Sequence, residues 1–155
     1  MGWKYGVAVA FIDALKGAVA VWVAKAIFPD APSLAFLAGI AAILGHIFPF
    51  YLKFRGGKGV ATLVGMVFGL KFGLGFVFIG LVLVPGLLAD YIVAGSFAAF
   101  IGLPVLAWLM GYESYLIVIS ALMTVLIFYL HRGNIQRILA KEETKISDVL
   151  KKKKD

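Results

Sequence analysis

The 155-residue chain has no cysteine, which excludes disulfides, thiol catalysis and cysteine-bound metal. Charge is also scarce. Asp, Glu, Lys and Arg make up 15% of the residues, against about 25% in soluble domains. With two histidines and few carboxylates, no metal site is expected, and nothing in the residues calls for a cofactor. No internal repeat is visible, so an inverted-repeat transporter finds no support. The N-terminal stretch lacks the unbroken apolar core of a signal peptide, because Asp13 and Lys16 interrupt it.

What the chain does have is long uncharged runs. Ala31–Leu52, Phe72–Ala89, Tyr91–Tyr112 and Ser114–Leu130 carry no Asp, Glu, Lys or Arg. Hydrophobic residues make up 63% of the chain and mean hydropathy is +1.01. About 20 apolar residues cross a bilayer core as a helix, so these runs read as spans of a polytopic membrane protein. The stretch Gly59–Ala89 would be about 46 Å long as a single helix, well beyond the hydrocarbon core. Lys71, flanked by Gly69, Gly73 and Gly75, marks a break within it. Two segments there bring the count to six. That places the basic loop Lys53–Lys58 and the basic C-terminal stretch on one side, as positive charge near the cytoplasm requires.

The expectation is therefore an all-α polytopic membrane protein with about six transmembrane helices and both termini cytoplasmic. A helical membrane domain covers residues 1–131 and a basic cytoplasmic tail covers 132–155. The net charge of +7 is concentrated in that tail and the 53–58 loop. Such charge faces anionic lipid or is simply solvated; it is not a nucleic-acid surface, because no folded soluble face carries it. The run Lys151–Lys154 reads as a solvated end.

Two polar clusters stand out. The first is Arg55-Gly56-Gly57-Lys58-Gly59, which leads into a helix at Val60. Glycines let successive backbone N–H groups converge on an anion, the helix N-terminus adds its dipole, and Arg55 and Lys58 add charge; the ligand this suits is a phosphate. The loop is not a Walker A motif, since Leu52 and Gly59 stand where that motif needs Gly and Ser or Thr. A positive turn between two helices explains the same residues. The second cluster is His131, Asn134 and Arg137, spaced i, i+3, i+6 and so on one helical face. Histidine is an acid or base near neutral pH, asparagine orients a hydroxyl or phosphate, and arginine binds phosphate in two-pronged fashion. An interfacial helix end also explains them. The six-span topology puts both clusters on one membrane side.

Other polar residues fall inside spans. His46 lies six residues before Leu52, about 9 Å below that interface, as a functional group or as a neutral ring bonded to a carbonyl near Pro49. Asp13 and Lys16 are i, i+3 in the first segment. They form a neutralising ion pair, or Lys16 is the floor of an anion site. Trp3, Trp22 and Trp108 read as interfacial belts. Gly65, Gly69, Gly73, Gly95 and Gly102 read as close-packing positions.

The stretch GHIFPFYLKFRGGKGVAT, Gly45 to Thr62, resembles the second signature of the bacterial acyl-phosphate:glycerol-3-phosphate acyltransferases, the PlsY type. FYLHRGNIQRILAKEE, Phe128 to Glu143, resembles the third, of form HRxNIxRLxxGxE. Asp13-Ala14-Leu15-Lys16-Gly17 resembles the family's D-x-x-K-G element, and Asp90-Tyr91 also fits. The resemblance covers almost the whole chain in order and spacing. It implies a multi-pass enzyme of the bacterial inner membrane, without cofactor or metal, that moves a fatty acyl group from acyl phosphate to the 1-hydroxyl of glycerol 3-phosphate and yields lysophosphatidic acid. It implies phosphate and substrate binding by Arg55, Gly56, Gly57, Lys58, Gly59, Arg137, Lys16 and His46, and catalysis by His131 and Asn134. A mixed anhydride is already activated, so positioning, charge stabilisation and a proton acceptor suffice. That acceptor is His131 or a substrate phosphate, whose second pKa is about 6.

The sequence departs from the family in one large respect. The family's extra first helix, and the loop with a G-S-x-N-x-G-x-x-N-x-x-R signature, have no counterpart here. Leu130 and Gly133 stand where the family has arginine and often glutamate. The chain therefore reads as the family minus its first motif, which a partner chain would supply in a split enzyme. A channel or carrier subunit for a phosphate-containing solute, or a non-catalytic truncated homologue, are the rival readings.

Overall fold

A computed structural model describes residues 3–151, and among them the chain is helical without strands. The helices are α1 (Trp3–Ile27), α2 (Pro32–Ile47), α3 (Val60–Leu70), α4 (Phe72–Ala89), α5 (Ile92–Leu109), α6 (Ser114–Leu130), α7 (Arg132–Leu139) and α8 (Ile146–Lys151). A short 3-10 turn, Phe50–Leu52, follows α2. Residues 152–154 of the lysine run lie outside the described residues, as do the side chains of Trp3 and Lys4.

The breaks have local causes. Pro32 opens α2, where its missing N–H has no intrahelical partner to lose. Phe48 leaves the helical region with φ −120° and ψ 58°, because the residue before Pro49 is pushed out of it. This corrects the sequence expectation of a helix reaching Leu52. Lys71 is extended, with φ −151° and ψ 112°, and separates α3 from α4 as expected. The α3 end is closed by Lys25 from the last turn of α1, whose Nζ donates to the carbonyls of Gly69 at 2.8 Å and Leu70 at 2.6 Å. A cation there satisfies carbonyls the helix cannot and complements its dipole.

Four stretches are long and apolar enough to cross a membrane: Tyr5–Ile27, Pro32–Leu52, Phe72–Ala89 and Ile92–Leu109. Ser114–Leu130 with Arg132–Leu139, bent by 49°, makes a fifth. The protein is thus a helical, multi-pass membrane protein. Helix α3 has 11 residues and is about 16 Å long, roughly half the hydrocarbon thickness. By length and composition four or five helices qualify as crossings; the six expected from the charge pattern include α3 as well.

The chain divides into two compact units, Met1–Phe78 and Ile79–Asp155, with the boundary inside α4. In the first unit, α1 and α3 touch backbone to backbone. A Cβ on Gly17 would collide with the Thr62 carbonyl, and one on Gly65 with the Ala14 carbonyl. Close approach through small residues is how helices pack in lipid, where no hydrophobic drive separates them from solvent. Val21, Phe36, Ile43, Leu63, Met66 and Val67 fill the buried seam of this unit. In the second unit, Gly95 of α5 lies against the Val82 carbonyl of α4, and Thr124 of α6 donates to the Phe100 carbonyl at 2.7 Å. Phe97 stacks on Phe128 at 4.1 Å. Gly65, Gly69 and Gly95 are close-packing positions as expected; Gly73 faces open space. Trp22 and Trp108 are exposed, as belt residues would be.

Candidate active site

In the first unit, Asp13 and Lys16 follow each other by one turn of α1, and Lys16 Nζ meets Asp13 Oδ1 at 2.7 Å. The same oxygen lies 3.3 Å from Nδ1 of His46, at the end of α2. The ion pair is therefore intrahelical, and His46 extends it across to the neighbouring helix. Because α2 ends at Ile47, His46 occupies its last turn and is not buried 9 Å along a longer helix. Its ring faces a carboxylate, in place of the backbone carbonyl that the sequence left as its alternative partner. Asp13 and His46 side chains are 17% and 13% exposed, while Lys16 is 41% exposed.

The glycine-rich loop folds back over these residues. Lys53 and Phe54 adopt left-handed angles, φ 53° and 60°, which reverse the chain after the 3-10 turn. The Gly56 N–H then donates to the Ile47 carbonyl at 3.1 Å and the Gly57 N–H to the His46 carbonyl at 3.2 Å. Two amides that the sequence pattern offered to an anion thus cap the C-terminus of α2. Gly59, with φ 76°, sits just ahead of α3 in a conformation other residues rarely take. The first turn of α3 leaves backbone N–H groups without intrahelical acceptors, a position suited to an anion. Arg55 is exposed and Lys58 half-buried along the same loop.

A cavity of about 350 Å³ opens where α1, the end of α2 and the loop meet. Asp13, Lys16, Gly45, His46, Tyr51, Gly56 and Gly57 line it. Of the expected binding residues, Lys16, His46, Gly56 and Gly57 thus share one cavity wall; Arg55, Lys58 and Gly59 lie beside it on the loop.

In the second unit, His131 is the joint between α6 and α7. Its Nδ1 lies 2.9 Å from the Ile127 carbonyl, which only accepts, so Nδ1 carries a proton. The ring is 2% exposed and meets Phe97 edge-on at 5.3 Å. His131 therefore caps the helix on which Asn134 and Arg137 lie, its carbonyl accepting from the Ile135 N–H at 3.0 Å. Asn134 and Arg137 are joined by a residue given no role in the sequence reading. Glu143 accepts from Asn134 Nδ2 at 2.8 Å and from Arg137 Nε at 2.7 Å, one carboxylate oxygen each. The Arg137 side chain remains 51% exposed. The available signal was an acidic residue closing the third signature, six positions after Arg137. Arg132 turns away, lying 4.1 Å over the Tyr129 ring.

Asp90 fitted the family pattern in the sequence, but its partner was not visible there. It takes a left-handed angle, φ 60°, and its carboxylate accepts from the Ser147 N–H at 2.8 Å and Ser147 Oγ at 2.6 Å. Its carbonyl accepts from Ile146 at 3.1 Å, so the start of α8 is tied to the α4–α5 turn. Among the described residues, no three His, Asp or Glu side chains converge as metal ligands.

A multi-helix membrane protein whose cavity wall carries a lysine and two glycines of a basic loop has the chemistry to hold an anionic group. Comparison with known proteins narrows this. The family described as Glycerol-3-phosphate acyltransferase matches residues 1–141. The glycerol-3-phosphate acyltransferase of Pelagibacter ubique is 41% identical over 140 residues, covering 90% of this chain and 71% of that protein. The enzyme of the same name from Brucella anthropi is 40% identical over 143 residues, covering 92% and 69%. The crystal structure of PlsY, an integral membrane glycerol 3-phosphate acyltransferase, in its glycerol 3-phosphate form superposes with a TM-score of 0.84 at 33% identity, covering 97% of this chain and 76% of that one. Its lysophosphatidic acid form gives 0.79 at the same identity. The chain belongs to the glycerol-3-phosphate acyltransferase family.

Proposed function

We infer that this protein transfers a fatty acyl group to the 1-hydroxyl of glycerol 3-phosphate and releases lysophosphatidic acid. The observation that carries the reading is the cavity at the α1–α2 end, where Lys16 and the glycine-rich loop face a space of about 350 Å³, in a chain 33% identical to a structure in the glycerol 3-phosphate form. The donor we propose is acyl phosphate. Its mixed anhydride needs orientation and charge stabilisation more than covalent catalysis.

In this account Lys16, Arg55 and Lys58 hold phosphate by charge, with the first turn of α3 supplying N–H donors. Gly56 and Gly57 serve by shape, since they let the loop close over α2. Arg137 keeps its terminal nitrogens for phosphate while Nε is held by Glu143. Asn134 donates to the same carboxylate through Nδ2, which holds its side chain beside Arg137. His131 is the proposed proton acceptor, with the substrate phosphate as the other candidate. The relatives are longer than the matched region. The family's first motif, in cis or from a partner chain, completes the site in this reading. The bacterial inner membrane is the proposed location, with residues 132–155 and both termini on the cytoplasmic side.

The test is formation of lysophosphatidic acid from palmitoyl phosphate and glycerol 3-phosphate in detergent, with the family's first motif supplied in cis or as a partner chain. Lys58→Ala should raise the glycerol 3-phosphate requirement and Lys58→Arg should restore it in part, because the two cations differ in shape. A Lys58→Ala enzyme with wild-type kinetics contradicts phosphate binding by the loop.

A further inference from the structure

A carboxylate on the wall of a phosphate-binding cavity works against the ligand unless it serves another purpose. Asp13 is such a carboxylate. Its Oδ1 takes both the Lys16 ammonium at 2.7 Å and the His46 imidazole at 3.3 Å. The histidine contact sets Nδ1 toward the carboxylate, which leaves Nε2 pointing the other way. The other way is the loop: a Cβ built on Gly57 would run into His46 Nε2. The Gly57 N–H is at the same time bonded to the His46 carbonyl. Gly57 is therefore held against His46 through both backbone and ring, and the ring is held by Asp13.

We propose that Asp13 is a positioning residue for glycerol 3-phosphate: acting through the His46 ring, it sets the glycine-rich loop in the shape that receives the phosphate group. The proposal rests on the acyltransferase reading for its substrate, but the Asp13–His46–Gly57 linkage stands on the geometry alone. Two expectations separate it from simple electrostatics. Removing a negative charge beside a phosphate site should tighten binding, and Asp13→Ala and Asp13→Asn should then behave alike. Positioning gives the opposite order. Asp13→Ala should raise KM for glycerol 3-phosphate roughly tenfold with kcat changed less than about threefold, the scale seen when a carboxylate that orients a histidine is lost. Asp13→Asn keeps an oxygen acceptor for Nδ1 and should fall between Ala and wild type.

The experiment pairs these kinetics with nitrogen NMR of the full chain in detergent, labelled at histidine and glycine. Only two histidines are present, so His46→Asn assigns both. In wild type His46 should show the Nδ1-protonated pattern. Asp13→Ala should shift the His46 ring nitrogens and the Gly57 amide while leaving His131 in place. A His46 ring and Gly57 amide unmoved by Asp13→Ala would overturn the proposal, as would a KM that falls equally in both Asp13 variants. If wild type makes no lysophosphatidic acid, the acyltransferase reading fails on its own, and the spectra still decide whether Asp13 governs the loop.

Discussion

Gly57 keeps a negative φ, so what its missing side chain provides is room for the His46 ring. Gly57→Ala should therefore displace the ring from Asp13 and raise KM for glycerol 3-phosphate, by about tenfold on the scale of a misplaced binding group. Thermal unfolding of the same variant should move little, because the loop is exposed and adds little to the buried seam. An unchanged KM in Gly57→Ala would mean the ring can rotate away without consequence. Glu143 is a second single-residue case. It joins Asn134 and Arg137 with one carboxylate, and its side chain is 12% exposed. Glu143→Ala should lower stability by about 1–2 kcal/mol, the value of charge-assisted hydrogen bonds lost at a partly solvated site. Thermal unfolding in detergent checks this, and an unaltered midpoint would show the bridge to be energetically idle.

Among the elements, α3 is the unusual one. Its 11 residues make it the shortest of the apolar helices, and its C-terminus is closed by Lys25 from α1. Its N-terminus lies at the glycine-rich loop, so the cation at one end holds the helix whose other end serves the substrate. Lys25→Met keeps the length of the side chain and removes the donors. It should lower the unfolding midpoint, at a cost of about 1–3 kcal/mol for carbonyls left unpaired away from water, and a midpoint equal to wild type would assign those carbonyls to other partners. The break at Lys71 and the helix starts at Pro32 and Ser114 were legible in the sequence, because proline, glycine and charge interrupt apolar runs with local effects. The end of α2 was not, since the run Phe48–Leu52 stays apolar through Pro49 and masks the proline's own signal. The Asp13–His46 contact spans 33 positions and two helices, so only the packing of α1 on α2 reveals it. Glu143 was visible as a residue but not as a partner, because the reversal between α7 and Glu143 brings it back to Arg137.

On the scale of the whole molecule, the apolar helices establish a multi-pass membrane protein, and the charge pattern is the basis of its proposed orientation. Reporter fusions after Ala31 and Glu113 should report the outer side, and a fusion after Asp155 the cytoplasm. A C-terminal reporter found outside would remove residues 132–155 from the side where soluble phosphate substrates arrive. The central claim is that the chain handles glycerol 3-phosphate through the cavity where Lys16 and the loop meet, and uses it as an acyl acceptor. The most direct measurement is the steady-state rate of lysophosphatidic acid release from palmitoyl phosphate, as glycerol 3-phosphate is varied, for wild type and Lys16→Met. Wild type, with the family's first motif supplied in cis or by a partner chain, should turn over and saturate. Lys16→Met should lose roughly tenfold or more in kcat/KM, mostly through KM, as expected for removing a ground-state charge contact. Saturating turnover that Lys16→Met leaves untouched, or no lysophosphatidic acid from wild type at any glycerol 3-phosphate concentration, would contradict the account.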